Sequence, residues 1–359
     1  INALQKLPED PVTLSEAMAY GVIYNLDNRV RVAEEALGQR QLDFSRWSFY
    51  PQLALSGGYT GRDNTPGSFS QSLRTGRESL EVSTSQDRER TVGDLQLVWN
   101  LLDFGVSYFN ARQQANQVLI LRERQSRVLQ ELMHEIRDAY WRVVSYQKLV
   151  RSLEPLSERL EMAIAQAETV EQEGLQTIEP LIYRQNLYTK MAQIETLREG
   201  LVAARANLNQ LMNLPPTYAT EVVELESNIN FEPLQLSVLE DIALRSRPEI
   251  REANYQKRIT ADEIKKSTVR LFPGLEMSLG YNQDSNSFLN NKDWGTAGVQ
   301  ITWNLLNLLN GREQLALDQA RSDLQQLRNI ALNMSILAQV NIAYVNYEQS
   351  SRQLELNSK

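Results

Sequence analysis

The stretch that decides the fold is VGDLQLVWNLLDFG, residues 92–105, because TAGVQITWNLLNLL, residues 296–309, writes it a second time. WNLL stands at 99–102 and again at 303–306, in a chain with only five tryptophans. Both copies alternate. Leu95, Leu97, Trp99 and Leu101 share one face against Gln96, Val98 and Asn100, and Val299, Ile301, Trp303 and Leu305 oppose Gln300, Thr302 and Asn304. A period of two is the signature of a half-buried strand.

The duplication extends outward on both sides. Upstream lie FYPQLALSGGYT (49–60) and LFPGLEMSLGYN (271–282), in the second of which Leu275, Met277, Leu279 and Tyr281 alternate with Glu276, Ser278 and Gly280. Downstream, AYWRVVSY from Ala139 aligns with AYVNYEQS from Ala343. Between these aligned segments the length difference falls between the strands, where the first half has a polar stretch over 62–91 and the second a shorter one over 283–294. Surface loops tolerate such changes. The repeat is helix, strand, loop, strand, long helix, with strand pairs expected at 51–61 with 92–103 and at 273–283 with 295–305.

The helices are unusually long. Residues 107–171 contain no glycine and one proline, Pro155, with Val118, Leu121, Val128, Leu132, Ile136, Ala139 and Val143 at helical spacing. At 1.5 Å per residue this run is about 100 Å long. Pro155 is expected to kink or break it. A second helix over about 179–213 stops at Pro215-Pro216, so 107–213 reads as a helical hairpin turned at EQEGLQTIEP (171–180), with Gly174 closing one helix and Thr177 opening the next. Shorter helices are expected over 13–44 and 236–270, with a helix break and restart at Arg247-Pro248-Glu249. The chain thus divides into a first repeat (1–216), a polar linker (217–235) and a second repeat (236–359). Only 16 residues follow Ala343, so the returning helix of a second hairpin is expected to lie beyond this sequence.

Composition narrows the function. The formal net charge of −8 opposes nucleic-acid binding, which needs a basic surface. Absence of cysteine excludes disulfides, thiolate metal sites and cysteine nucleophiles. Ile1 is not followed by a leader, so any secretory signal is expected to have been removed or never to have been present, and a trimmed, lipid-modified start is compatible with the sequence. No apolar run of about 18 residues is present. A mean hydropathy of −0.43 suits a soluble protein and equally a transmembrane β-barrel, whose apolar residues occupy every second position.

The flanks favour the membrane. Phe49, Tyr50, Trp99, Phe272 and Trp303 gather at the helix-side ends of their strands, where amphipathic rings suit a membrane interface. Four strands cannot close a barrel, and an open edge in lipid leaves backbone groups unpaired. Two copies would give about eight strands with little room inside, whereas three would give about twelve and a lumen. Gln52, Gln96, Asn100, Glu276, Gln300 and Asn304 would line that lumen. The fold class expected is therefore an α+β membrane protein, a trimeric 12-stranded β-barrel continued by an α-helical barrel.

The chain resembles the TolC-like outer-membrane factor family. The resemblance rests on VTLSEAMAYGVIYN (12–25), the P-x-L-x-x-S-x-G-Y segments at Pro51 and Pro273, the W-x-L-L-x-x-G stretch at Trp99, EQEGLQTIEPL with ANLNQLMNLPP (171–216), and SRPEIREANYQ (246–256), in family order. It implies a homotrimeric exit duct of a tripartite efflux pump or type I secretion system, in the outer membrane of a Gram-negative bacterium and reaching through the periplasm. It implies a periplasmic adaptor and an inner-membrane transporter as partners, outer-membrane lipid around the barrel, and no cofactor. The hairpin tip Glu173, Gly174, Leu175, Gln176, Thr177 and Ile178 resembles the segment that meets the adaptor. The family's gate carboxylates belong to the second hairpin and transfer to no residue here.

Other candidates read as structural. His134, the only histidine, stands beside Glu131, Glu135 and Asp138 but has no second soft ligand. The run Glu78, Glu81, Asp87, Arg88, Glu89, Arg90 reads as a solvated loop. Gly57-Gly58 lies in a strand pattern without the lysine of a phosphate loop. No catalytic arrangement is evident, so no enzyme is expected. The competing class is a soluble periplasmic coiled-coil scaffold or adaptor with a small β domain.

Overall fold

A computed structural model describes residues 5–172, 178–224 and 235–357. In chain order it has α1 (Leu14–Tyr24), α2 (Leu26–Ser45), a 3-10 turn (Arg46–Phe49), β1 (Gln52–Gly61), β2 (Glu89–Asn100) and α3 (Leu101–Gln172). There follow α4 (Ile178–Leu211), α5 (Leu236–Ser246), α6 (Pro248–Val269), β3 (Gly274–Asp284), β4 (Asp293–Thr302) and α7 (Leu306–Asn357). Two compact units emerge, one of Ile1–Ala36, Leu121–Glu252 and Met334–Lys359, the other of Leu37–Ile120 and Ala253–Asn333.

The first unit is built on the α3–α4 pair. Ile136, Ala139, Tyr140 and Val143 of α3 bury against Leu201, Ala204, Leu208 and Met212 of α4. Two extended segments lie on this pair: Val12 and Val222 form a parallel bridge, and the buried Tyr140 hydroxyl reaches the carbonyls of Val12 (3.2 Å) and Val223 (2.9 Å). The segment from Val12 then starts α1 through a capping box, in which the Thr13 hydroxyl accepts from the Glu16 N–H and the Glu16 carboxylate accepts from the Thr13 N–H. Farther along the pair, Leu160 packs with Leu187 and Ile194.

In the second unit four helical segments join laterally. Gln114 of α3 donates to Gln41 of α2 (3.2 Å), Gln113 of α3 donates to Glu263 of α6 (2.8 Å), and Ser267 of α6 donates to Asp318 of α7 (2.6 Å). The order α2-α3-α6-α7 matches that of the sheet, β1-β2-β3-β4, every neighbouring strand pair being antiparallel. Asp318 is almost wholly buried. Burial alone would raise its pKa, but hydrogen bonds from Ser267 and Gln314, with Arg321 alongside, hold it below the usual carboxylate range.

Several expected boundaries move, each for a local reason. The helix expected over 13–44 breaks at Asn25, whose side chain accepts from the Asn28 N–H (3.1 Å) and donates to the Leu211 carbonyl (3.1 Å). The break expected at Arg247-Pro248-Glu249 is present, with Arg247 ending α5 and Pro248 in the first turn of α6, where a missing N–H is harmless. Of the kink or break expected at Pro155, the break does not occur, since α3 runs continuously through it with α4 packing on both sides. The hairpin helices also shift at their ends, since α3 begins at Leu101 rather than 107 and α4 ends at Leu211 rather than 213. Residues 225–234 of the expected linker lie outside the described residues.

Strand ends shift too. The pairs expected at 51–61 with 92–103 and 273–283 with 295–305 are Gln52–Gly61 with Glu89–Asn100 and Gly274–Asp284 with Asp293–Thr302. The charged run was expected to be all loop, yet Glu89 and Arg90 begin β2, opposite Gly61 and Thr60. The same WNLL ends differently in the two halves. β2 continues through Trp99 and Asn100 because β3 pairs them with Met277 and Glu276. β4 has only β3 beside it, and the register that puts Thr302 opposite Gly274 would put Trp303 opposite Pro273, which has no N–H to donate.

Leu208 carries much of the α3–α4 contact and is fully buried. Leu208→Ala is expected to cost about 2–5 kcal/mol, read as a lower melting midpoint of the helical circular-dichroism signal.

Candidate functional site

The sheet registers sort its residues onto two faces. Directly opposed residues share a face, so Leu53, Leu55 and Tyr59 of β1 join Leu95, Leu97 and Trp99 of β2, Leu275, Met277, Leu279 and Tyr281 of β3, and Ala297, Val299 and Ile301 of β4. The other face carries Gln52, Ser56 and Thr60, Arg90, Asp94, Gln96 and Asn100, Glu276, Ser278 and Asn282, and Thr296, Gln300 and Thr302. The apolar face is bare: Leu55 is 82% exposed, Val299 68% and Ile301 71%.

Among the described residues, both outer strands of the sheet are unpaired on one side, β1 and β4 each having a single neighbour. The strands are 10 to 12 residues long. That is the length of a tilted transmembrane strand. Among the described residues, no helix is long and apolar enough to cross a membrane.

Five residues expected in a lumen, Gln52, Gln96, Asn100, Glu276 and Gln300, fall on the one polar face, with Glu276 directly opposite both Asn100 and Gln300. Asn304, the sixth, lies beyond β4, so strand alternation places it on neither face, and its side-chain oxygen accepts from the Leu306 N–H (3.1 Å) at the start of α7. Asn100 does the same for α3, accepting from the N–H groups of Leu102 (3.0 Å) and Asp103 (3.4 Å). The asparagine of each WNLL is thus the cap that converts strand into long helix.

The aromatic residues gather at that junction. Phe49, in the 3-10 turn, meets Phe104 of α3 at 5.6 Å between centroids, and Trp99 meets the same ring edge-on at 6.2 Å. Tyr50 packs on Trp47 (5.5 Å), and the Trp303 indole N–H donates to the Leu271 carbonyl (3.1 Å). Phe272 is largely exposed. Phe104 and Trp47 were missed by strand-based reading because they lie on helical turns. Tyr59 sits toward the opposite end of the apolar face, opposite Thr91 and about 26 Å along β2 from Trp99, whereas Tyr281 lies opposite Leu95 near the middle of β2.

At that opposite end the two strand connections are tied together. The Ser287 backbone N–H and hydroxyl both donate to the Asp87 carboxylate, the hydroxyl at 2.7 Å. Asn286 accepts from the Asp87 N–H (3.1 Å) and donates to the Ser85 carbonyl (3.0 Å). The hydrogen bonds from Ser287 hold the Asp87 carboxyl below the ordinary carboxylate range. Sequence carries no signal for this tie, which joins residues 200 apart.

Of the hairpin tip, Glu173, Gly174, Leu175, Gln176 and Thr177 lie outside the described residues, and Ile178 is the exposed first residue of α4. His134 is 72% exposed with Asp138 at 3.6 Å. Among the described residues, no group of three or more His, Asp or Glu side chains is arranged to hold a metal ion.

No family model and no curated protein matches the chain. Solved structures do match. They include the outer-membrane channel OprN, at 17% identity and TM-score 0.70 over 96% of this chain and 76% of that one. The CmeC outer membrane channel of Campylobacter jejuni matches at 13% identity and TM-score 0.69, over 98% of this chain and 78% of that one. The outer membrane protein VceC of Vibrio cholerae matches at 14% identity and TM-score 0.67, over 96% and 80%. The chain has the fold of these channels.

Two outcomes follow from the site. Asn100→Ala and Asn304→Ala are each expected to cost about 1 kcal/mol, measured as faster hydrogen exchange in the first turns of α3 and α7. The Asp87 tie should be pH-dependent. A carboxyl with depressed folded pKa stabilises above its ordinary value near 4 and loses that contribution as pH falls through the lower folded value. The Ser287 amide should be protected at neutral pH and lose protection below about pH 4, whereas in Asp87→Ala it should be unprotected throughout.

Proposed function

We propose that the chain is one subunit of a trimeric exit duct in the outer membrane of a Gram-negative bacterium. In this reading three four-stranded sheets close a 12-stranded barrel, and the long helices continue it as a periplasmic tunnel. The observation that carries the proposal is the sheet itself, with one bare apolar face, one polar face and two unpaired edges. In water an apolar surface of that extent is a liability. In lipid it is a solvated surface, provided that each edge finds a partner, since every unpaired backbone group there costs several kcal/mol.

The polar face then lines the water-filled interior, with Gln52, Gln96, Asn100, Glu276 and Gln300 along it. Phe49, Tyr50, Trp99, Phe272 and Trp303 mark the inner membrane interface, and Tyr59 the outer one. The duct performs no chemistry. Its driving force belongs to an inner-membrane transporter joined through a periplasmic adaptor, which contacts the hairpin tip Glu173–Ile178. The outer-membrane channels that share the fold support this reading. A soluble scaffold would need an element to cover the apolar face, and none of the described residues does so.

Adjacent substitutions on opposite faces test it. Leu95→Arg, on the apolar face near the middle of β2, should cost about 2–4 kcal/mol and deplete assembled protein in the membrane fraction. Gln96→Arg should leave assembly intact and change single-channel conductance and ion selectivity in planar bilayers. Equal tolerance of both, with no conductance from either, would refute the duct.

A further inference from the structure

The β1–β2 connection carries a second small hairpin. Ser68 pairs antiparallel with Ser83 and Gln71 with Glu78, and the Ser72 N–H donates to the Arg77 carbonyl (2.9 Å) around a turn at Gly76, whose φ of +65° suits glycine. Its base is fixed by the Asp87, Ser287 and Asn286 bonds described above. The hairpin therefore stands on an anchored foot.

Its serine and glutamine side chains bond within the hairpin, but its large apolar side chains stand exposed. Leu73 and Leu80 are fully exposed, and Phe69 and Val82 are 62% and 61% exposed. Arg74 and Arg77 flank the turn, Glu78 and Glu81 lie on the returning arm, and none of the four forms an ion pair among the described residues. Four bare apolar residues beside two unpaired cations and two unpaired anions make a self-complementary surface. Such a surface fits another copy of itself better than it fits lipid, where the charges would stay unmatched.

Geometry agrees with that partner, granted the trimer proposed above. An arm of about eight residues reaches about 25 Å. Twelve strands at about 4.8 Å spacing and about 40° tilt make a ring of radius about 12 Å. Hairpins rising from that ring reach its axis. We infer that the 67–83 hairpins of three copies close on one another over the outer mouth of the barrel, burying Leu73 and Leu80 and pairing Arg74 and Arg77 of one copy with Glu78 and Glu81 of the next.

The chain has no cysteine, so Leu80→Cys places a single thiol per copy. In the full chain, extracted in detergent, mild oxidation with copper–phenanthroline and oxygen would remove two protons and two electrons from a pair of these thiols and form one disulfide. The expected result is a covalent dimer from a particle that sizes as a trimer. Adding Glu78→Arg and Glu81→Arg should cut the dimer yield several-fold, and further adding Arg74→Glu and Arg77→Glu should restore it. A trimer that yields no dimer, or a yield indifferent to these charges, would overturn the inference and leave the duct standing. A particle that sizes as a monomer would overturn both.

Discussion

Every strand amide and carbonyl must find a partner, and this requirement governs the molecule. Within the chain β2 and β3 meet it on both sides, whereas β1 and β4 meet it on one. Water can complete an edge strand; hydrocarbon cannot. In the proposed duct the same four strands carry both the surface that faces lipid and the edges that need partners. Closure across copies would resolve both demands, and three copies would give twelve strands with a lumen where two would give eight without one.

The remaining features of the second unit serve that sheet. Each returning strand passes into its long helix at an asparagine cap, so the last ladder position and the first helical turn are only a residue or two apart. Around the first of these junctions, Phe49, Trp99 and Phe104 form one ring cluster, which ties the entering turn, the strand end and the helix start together. Opposite, the Asp87–Ser287 bonds bind the two strand connections, so the sheet is braced at both ends. Between the helices below it, polar contacts such as Ser267–Asp318 replace part of an apolar core. Buried polar groups of this kind hold register because breaking one leaves its partner unsatisfied.

Much of this was legible from period alone. Leu95 and Gln96 announce opposite faces without any knowledge of neighbours, and the repetition of WNLL shows that the strand pair occurs twice. Local rules failed where a distant partner decided the outcome. Identical WNLL segments end their strands at different residues because β2 has a second neighbour and β4 faces a proline. Counting carries the second strand to Leu305, yet β4 stops at Thr302 and Asn304 bonds to the start of α7. Pro155 should break a helix in isolation, yet packing on α4 carries α3 through it. Asn25 breaks a helix that propensity would continue, because its side chain bonds to Leu211, 186 residues away. The hairpin over 67–83 had no strong strand pattern and read simply as loop.

Residue-resolved hydrogen exchange on the detergent-extracted particle tests closure most directly. If β1 and β4 pair across copies, the amides of Gln52–Gly61 and Asp293–Thr302 should exchange as slowly as those of Glu89–Asn100 and Gly274–Asp284. Alternate amides along β1 and β4 that exchange orders of magnitude faster than the central strands would show open edges and contradict the account.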